Sequence, residues 1–291
     1  MSAALPEATI RPLSRPGFLA GTGWSMRVGL AGIALLALAA ALAPLILPYD
    51  PTRLDLAGGL QAPSLVHWFG TDQLGRDVLT RVIYGARIDL QIGAIGVAVP
   101  LAIGLVLGLL AAYLGGWVDA LIGRLIDIVI AFPFLVLVIA IVAMLGPGLI
   151  NLYIAISLVS WVLYARIVRG EVLALRSREY VLAARSLGFG SGRIMFRHIL
   201  PNAIAPAFVF AMSDFVLDVQ LGATLSFFGL GVQAPTPEWG LIISENRNLL
   251  LISPATVLGP GFALASLVVA INLASEGFAR VLGRRAEISV R

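Results

Sequence analysis

Apolar stretches separated by short polar connections run along most of the chain. Residues 28–47 carry no charge, and at 1.5 Å per residue they make a helix of about 30 Å, the thickness of a bilayer's hydrocarbon core. Ala41-Leu42-Ala43, following Arg27, resembles a signal-peptide cleavage site, but the apolar run is longer than a usual secretion signal and predicts an uncleaved anchor. Further runs cover 90–114, 125–145, 149–165, 204–230 and 255–282, which predicts six membrane-spanning helices. Gly115-Gly116 and Gly146-Pro147-Gly148 mark helix ends between them. An even number of spans puts both termini on one side. Residues 1–27, with Pro6, Pro12 and Pro16, read as a mobile tail, 48–89 as a long loop on the far side, and 283–291 as a second tail.

Composition agrees with this pattern. The 291 residues are 59% hydrophobic and 12% charged, with mean hydropathy +0.96, more apolar than polar surface could cover in a soluble domain of this length. The fold class expected is an all-α integral membrane protein. All 20 basic residues are Arg, so the Lys of a phosphate-binding P-loop is absent and the chain is not an ATPase of that type. It has no Cys, which removes thiolate catalysis and Cys-based metal sites. His67 and His198 lie far apart, outside any His-Glu-x-x-His pattern, so no metal site is expected.

The charges lie between the apolar runs, which suits cytoplasmic loops better than a nucleic-acid surface. Between spans four and five stand Arg166, Arg169, Arg176, Arg178, Arg185, Arg193 and Arg197 against Glu171 and Glu179, which predicts a cytoplasmic loop. Arg280, Arg284, Arg285 and Arg291 place the C-terminal tail on the same side, and the loop with Arg247, Glu238 and Glu245 outside. By parity the first long loop is also external, although it holds Arg53, Arg76, Arg81 and Arg87 beside Asp50, Asp55, Asp72, Asp77 and Asp89. Pairs between those Asp and Arg are expected there rather than contacts to a solute.

Within the basic loop, residues 177–187 have helical spacing and meet Gly188 and Gly190; Ser191 can cap a second short helix over 192–200 that Pro201 stops. Two short amphipathic helices around a glycine turn form either a docking knob or a loop resting on lipid. Asp214 and Asp218 lie one helical turn apart in the fifth span. An Asp near the bilayer centre costs about 2.5–3.5 kcal/mol, so both should face the bundle interior or a wet pathway. They either line a route for a peptide amine or cation, or pair with neighbouring spans. Asp127 is expected to pair with Arg124, and Glu276, four residues after Asn272, to lie near the cytoplasmic end of the sixth span. Residues 229–240 hold too many Gly and Pro to stay helical and should lie on the outer face, as a connection or as a contact for an external protein through Gln233, Glu238 and Trp239.

Residues 179–201 resemble the cytoplasmic "EAA" loop of permease subunits of bacterial ABC importers: Ala183, Ala184, Gly188, Leu200 and Pro201 stand at matching positions, while Leu182 takes the place of the motif's Glu. The stretch from Gly70 to Arg87 and that from Leu225 to Gly240 are similar to segments of the second, "C"-type permease of the dipeptide, oligopeptide and nickel group. The resemblance implies the type I ABC importer permease fold with both termini cytoplasmic, in a bacterial inner membrane. It implies a loop, 166–201, that docks on an ATPase subunit through Glu179, Tyr180, Ala183, Ala184, Arg185, Leu187, Gly188, Arg193 and Pro201. With Leu182 in place of the Glu, coupling should rest on shape and apolar contact. The implied partners are a second homologous permease, two ATPase subunits that bind ATP and Mg, an external substrate-binding protein and lipid, with no cofactor in this chain. The scarcity of His, Cys and clustered Met favours peptides over nickel as solute. An intramembrane enzyme lacks a Ser and His pair or a metal cluster in the spans, and a secondary carrier would need no docking knob.

Overall fold

A computed structural model describes the backbone of residues 23–289 and the side chains of residues 23–278. Most of the expected N-terminal tail, and the side chains of Arg280, Arg284, Arg285, Glu287 and Arg291, lie outside the described residues. The elements are helices: α1 (Trp24–Ile46), α2 (Val78–Leu114), α3 (Gly116–Ile130), α4 (Phe134–Leu145), α5 (Leu149–Leu175), α6 (Glu179–Ser186), α7 (Ser191–Arg193), α8 (Leu200–Phe227), α9 (Trp239–Asn246) and α10 (Ala255–Ser289), with a 3-10 turn at Leu56–Gly58. A π turn, Ile194–Ile199, joins α7 to α8.

Five helical runs among the described residues are long and apolar enough to cross a membrane, and α3 with α4, bent by 89°, make a sixth as a broken span or a re-entrant pair. This corrects the expected single span over 125–145. Pro133 is the cause: it has no N–H to donate and keeps Phe132 out of the α conformation, so the helix restarts at Phe134. The second span begins at Val78 rather than near residue 90, because Asp77 caps it by accepting the Thr80 N–H at 2.8 Å. The loop before it is correspondingly shorter than 48–89. The fourth span extends to Leu175, and α10 continues through most of the expected C-terminal tail.

The spans pack through small residues. α2 lies closely against α5, where a side chain at Gly104 would strike Tyr164 and the backbone of Trp161 and Ala165. Pro44 in α1 removes the donor that would bond the Ala40 carbonyl, and Arg87 of α2 replaces it, Nε to O at 2.6 Å, with a second bond to Ala41 O at 3.1 Å. Arg87 is therefore a strut between two spans rather than a member of an Asp–Arg pair. At the N-terminal end of α2, Trp239 is fully buried and donates Nε1–H to Val82 O at 2.8 Å, tying α9 to α2.

The 48–77 segment forms a polar cap over this end. Asp72 bonds Arg76 Nε and Arg81 Nη1, each at 2.7 Å, as the expected pairing within the loop. Glu245 of α9 completes the network at 2.9 Å from Arg76 Nη2 and 2.8 Å from Arg81 Nη2. Arg81 is 1% exposed and Asp72 1% exposed, which makes this a buried network rather than a surface one. His67 Nδ1 lies 2.9 Å from Asp77, and its ring stacks near Tyr49.

Candidate functional site

At the opposite end α6, α7 and the π turn form the knob. Val181 and Ala184 on one side of α6, with Ile194, Met195 and Ile199 of the π turn, bury against Tyr164, Val168 and Val172 of α5. Gly188 turns the chain with φ +75°, its N–H bonding Arg185 O at 2.9 Å while Phe189 N–H reaches Ala184 O at 3.1 Å. That is a glycine C-cap, which accounts for the glycine at this position. Gly190, rather than Ser191, precedes the second helix, and the Ser191 side chain makes no capping bond.

Pro201 does not stop the helix. It stands in the first turn of α8, directly after the π turn, where Leu200 N–H bonds back to Met195 O. The wider turn lets the chain run on past the missing proline donor. The knob's second half, α7 with the π turn, and α8 are therefore one continuous helical element, Ser191–Phe227.

Of the residues singled out in the sequence, Glu179, Tyr180, Ala183, Arg185, Leu187, Gly188, Arg193 and Pro201 are exposed, and Ala184 is buried as an internal contact. Leu182, in the place of the motif's Glu, is 47% exposed; Tyr180 at 42%, Leu187 at 73% and Phe196 at 61% are exposed as well. The knob thus exposes large apolar side chains on more than one side of α6, and the Arg185 and Arg193 guanidinium groups lie over Tyr113 (5.5 Å) and Phe189 (5.0 Å). Beneath it, Arg176 Nη1 bonds Ala112 O at 2.9 Å, and Arg169 holds Asp119 with two bonds of 2.6 and 2.8 Å. Asp119, not Asp127, takes the ion pair at this end, and Arg124 makes none with Asp127 among the described residues.

Asp214 and Asp218 face the bundle interior. Asp214 accepts the Tyr164 hydroxyl at 2.7 Å, and that ring meets Phe210 edge-on at 5.1 Å, so the knob's core continues into the span. Asp218 is 1% exposed, its Oδ2 has no hydrogen-bond partner among the described residues, and a side chain at Gly96 of α2 would come within 2.5 Å of it. Both carboxyls are held between α8, α2 and α5 rather than lining an open surface.

Of the three residues offered for an external contact in the segment before and into α9, two are buried. Glu238 is fully buried and caps α9, accepting Gly240 N–H at 2.8 Å and Leu241 N–H at 2.7 Å. Burial pushes its carboxyl above the ordinary range, while those two donors pull it back. Trp239 N–H reaches Asp89 Oδ2 at 3.2 Å. A partner's surface cannot reach Glu238 or Trp239; Gln233 alone of the three is exposed, with its amide nitrogen bonded to the loop's own carbonyls at 3.1 to 3.3 Å. The sequence reading missed Tyr164, Asp89 and Glu245 as partners of these groups. The one available signal was that each is a polar residue beside or within an apolar run.

The chain matches the family described as "Binding-protein-dependent transport system inner membrane component" over residues 104–288. It is 45% identical over 250 residues to the dipeptide transport system permease protein of Alkalihalophilus pseudofirmus, covering 86% of this chain and 82% of that one. It is 43% identical over 246 residues to the glutathione transport system permease protein of Shigella flexneri, covering 84% and 81%. The di/tripeptide transport system permease protein of Pseudomonas aeruginosa is 42% identical over 255 residues, covering 86% and 84%. In fold the chain is similar to a chain of a crystal structure of an amino acid ABC transporter with histidines, at TM-score 0.52 and 17% identity, covering 69% of this chain and 93% of that one.

Proposed function

Since this chain belongs to the family of binding-protein-dependent transport system inner membrane components, we propose that it supplies half of a peptide pathway and couples it to ATP hydrolysis through the Glu179–Pro201 knob. The chain is the permease subunit of an ABC importer, a multi-pass protein of the bacterial inner membrane and not an enzyme. It works within a transporter complex that includes ATPase and substrate-binding partners.

The finer reading is a heterodimer with a second, homologous permease, two cytoplasmic ATPase subunits that bind ATP and Mg, and one external binding protein. Both termini and the knob lie in the cytoplasm, as Arg placement indicates. Peptides are the solute, a reading supported by relatives named for dipeptides, di- and tripeptides and glutathione.

The observation that carries the coupling role is the knob's exposed apolar surface, made by Tyr180, Leu182, Leu187 and Phe196. Leaving that surface in water is unfavourable, by about 25 cal/mol for each Å² of apolar surface that a partner could cover. Behind it, Val181, Ala184 and Ile199 are locked onto α5 and α8, so a push on the knob reaches the spans without slack. Binding that differs between inward-open and outward-open states is what ties hydrolysis to the gate.

The test is reconstitution of the permease pair with and without the ATPase subunits. Peptide uptake that requires the ATPase and external binding protein is the expected result, and uptake driven by a proton gradient without ATP would overturn it. Leu182→Asp and Leu187→Asp place charge on the docking face without touching the buried side of the knob. Each should weaken ATPase association by about 2 kcal/mol or more, the loss typical of a central contact. Unchanged association in both would refute the docking face.

A further inference from the structure

α8 has three faces, and only two of them are packed. Asp214, Asp218, Leu221 and Leu225 bury toward α2 and α5. Val216 and Val219 bury with Trp239, Ile242 and Leu267 of α9 and α10. Between these lies an exposed face at Ser213, Leu217, Gln220 and Thr224, whose spacing of four, three and four residues keeps them on one stripe. Asn202, exposed, and Pro206, half-buried, lie on the same stripe nearer the knob.

The polarity of this stripe sets it apart from a lipid-facing surface. The exposed large residues of α1 are Trp24, Val28, Leu30, Leu35, Leu38, Leu42, Leu45 and Ile46, which suit hydrocarbon or its border. On α8, Phe208 and Leu217 are exposed too, but from Ser213 onward the exposed positions are Ser213, Leu217, Gln220 and Thr224, three of the four polar. The Gln220 amide makes no hydrogen bond among the described residues, and Thr224 covers only its own hydroxyl by bonding Gln220 O at 2.7 Å. An unpaired amide in hydrocarbon is costly, so Gln220 must meet water or polar groups within the membrane. Beside it opens a groove of about 470 Å³, lined in part by Gln220, Thr224, Phe227, Phe228 and Ile243.

The stripe is also free of charge. Asp214 and Asp218 lie within one or two residues of it, yet the helix turns both carboxyls into the packed side, where Asp214 is tied to Tyr164. What remains exposed can donate and accept hydrogen bonds, which are the groups needed to meet peptide backbone N–H and C=O.

We propose that the Ser213, Gln220 and Thr224 face of α8 is this chain's wall of the solute pathway, an uncharged hydrogen-bonding surface that takes peptide backbone groups without selecting side-chain charge. This rests on the transport reading above and adds the residues and the selectivity. The Asp pair serves packing inside the subunit, and solute charge is left to other elements of the complex.

The chain contains no Cys, so single-cysteine variants need no background removal. Ser213→Cys, Gln220→Cys, Thr224→Cys and the lipid-side control Leu35→Cys are placed one at a time in the full transporter complex in proteoliposomes. A charged, membrane-impermeant methanethiosulfonate reagent is then applied with and without saturating dipeptide. Because only the thiolate reacts and an apolar surrounding suppresses it, the three α8 positions should react about tenfold or more faster than position 35. Dipeptide with its binding protein and ATP should slow them. Reaction no faster than at Leu35→Cys, or no protection at any of the three, overturns the proposal.

A second arm reads charge. The unsubstituted complex should import cationic and anionic dipeptides at similar rates, whereas Gln220→Glu should favour the cationic and Gln220→Arg the anionic one by about tenfold, since like charge at close quarters is strongly disfavoured. Unaltered preference in both variants overturns the assignment of Gln220. A wild-type complex that imports no peptide defeats the transport reading instead, while the labelling pattern still reports separately on whether the face is wet.

Discussion

Asp72→Asn is the sharpest test of what holds the outer end together. Asp72 accepts two charge-assisted bonds, from Arg76 Nε and Arg81 Nη1 at 2.7 Å each, and two backbone bonds, from Leu74 N–H at 2.9 Å and Arg76 N–H at 3.0 Å. An asparagine can still accept the backbone donors with one oxygen, but it turns an NH₂ group toward two guanidinium groups that are 4% and 1% exposed. Two lost charge-assisted bonds at about 1.5–3 kcal/mol each give a gross loss of about 3–6 kcal/mol. Breaking a buried ion pair from one side independently suggests about 3–5 kcal/mol. Glu245 remains to hold one positive charge, so the lower part of that range, about 3–4 kcal/mol, is the expected destabilisation. Glu245→Gln should cost less, about 1–2 kcal/mol, because its side chain is 23% exposed and water replaces part of the lost interaction. The assay is equilibrium unfolding of the purified protein in micelles at two salt concentrations. A loss below about 1 kcal/mol for Asp72→Asn, or one that vanishes in high salt, would mean that water screens the network and the argument from burial is wrong.

Arg87→Leu keeps the volume of the strut but leaves the Ala40 carbonyl, already deprived of its helical donor by Pro44, without a partner; a loss of about 1–3 kcal/mol is expected in the same unfolding assay. If the carbonyl is instead satisfied by water, Arg87→Leu will be close to neutral. Tyr164→Phe removes the hydroxyl that Asp214 accepts and should destabilise by about 1–3 kcal/mol without altering knob exposure, measured as unchanged modification of Arg185 and Arg193 in the folded protein. For Glu238, burial raises the carboxyl pKa in the fold above its unfolded value near 4.3, so the folded state holds the proton more tightly. Its contribution is therefore complete below pH about 4.3 and is lost as pH rises through the higher folded value. Glu238→Gln should flatten that fall in stability, and an unchanged slope would refute the assignment to this group.

The membrane class, most of the spans and the knob were readable because each depends on local quantities: uninterrupted apolar length, a glycine at a turn, and Arg density between spans. Leu182 was identifiable as an apolar substitute on a helix, and the fold shows it on the exposed face. Boundaries were less accurate where the cause was a single capping or breaking residue. Asp77 starts α2 well before the hydrophobic run reads as a span, and Pro133 divides the third span with an 89° bend. Pro201 misled in the other direction, since a π turn absorbs the donor it lacks.

Pairings between distant segments were not legible. Glu245 with Arg76 and Arg81, Arg87 with Ala40, and Tyr164 with Asp214 join residues far apart in the chain, and no spacing rule relates them. The Asp pair shows the same limit. Its cost in a bilayer, calculable from the sequence, required both carboxyls to avoid lipid, but left open whether they met water or protein. The packing of α8 against α2 and α5 decided for protein, and by doing so exposed Ser213, Gln220 and Thr224 on the remaining face. The sequence by itself determined that this is a helical membrane protein with a basic loop turned by glycine, because transfer free energy and backbone conformation are properties of neighbouring residues. Which polar groups are buried between helices and which stay exposed was decided only by tertiary structure, because that depends on how each helix is rotated against its neighbours.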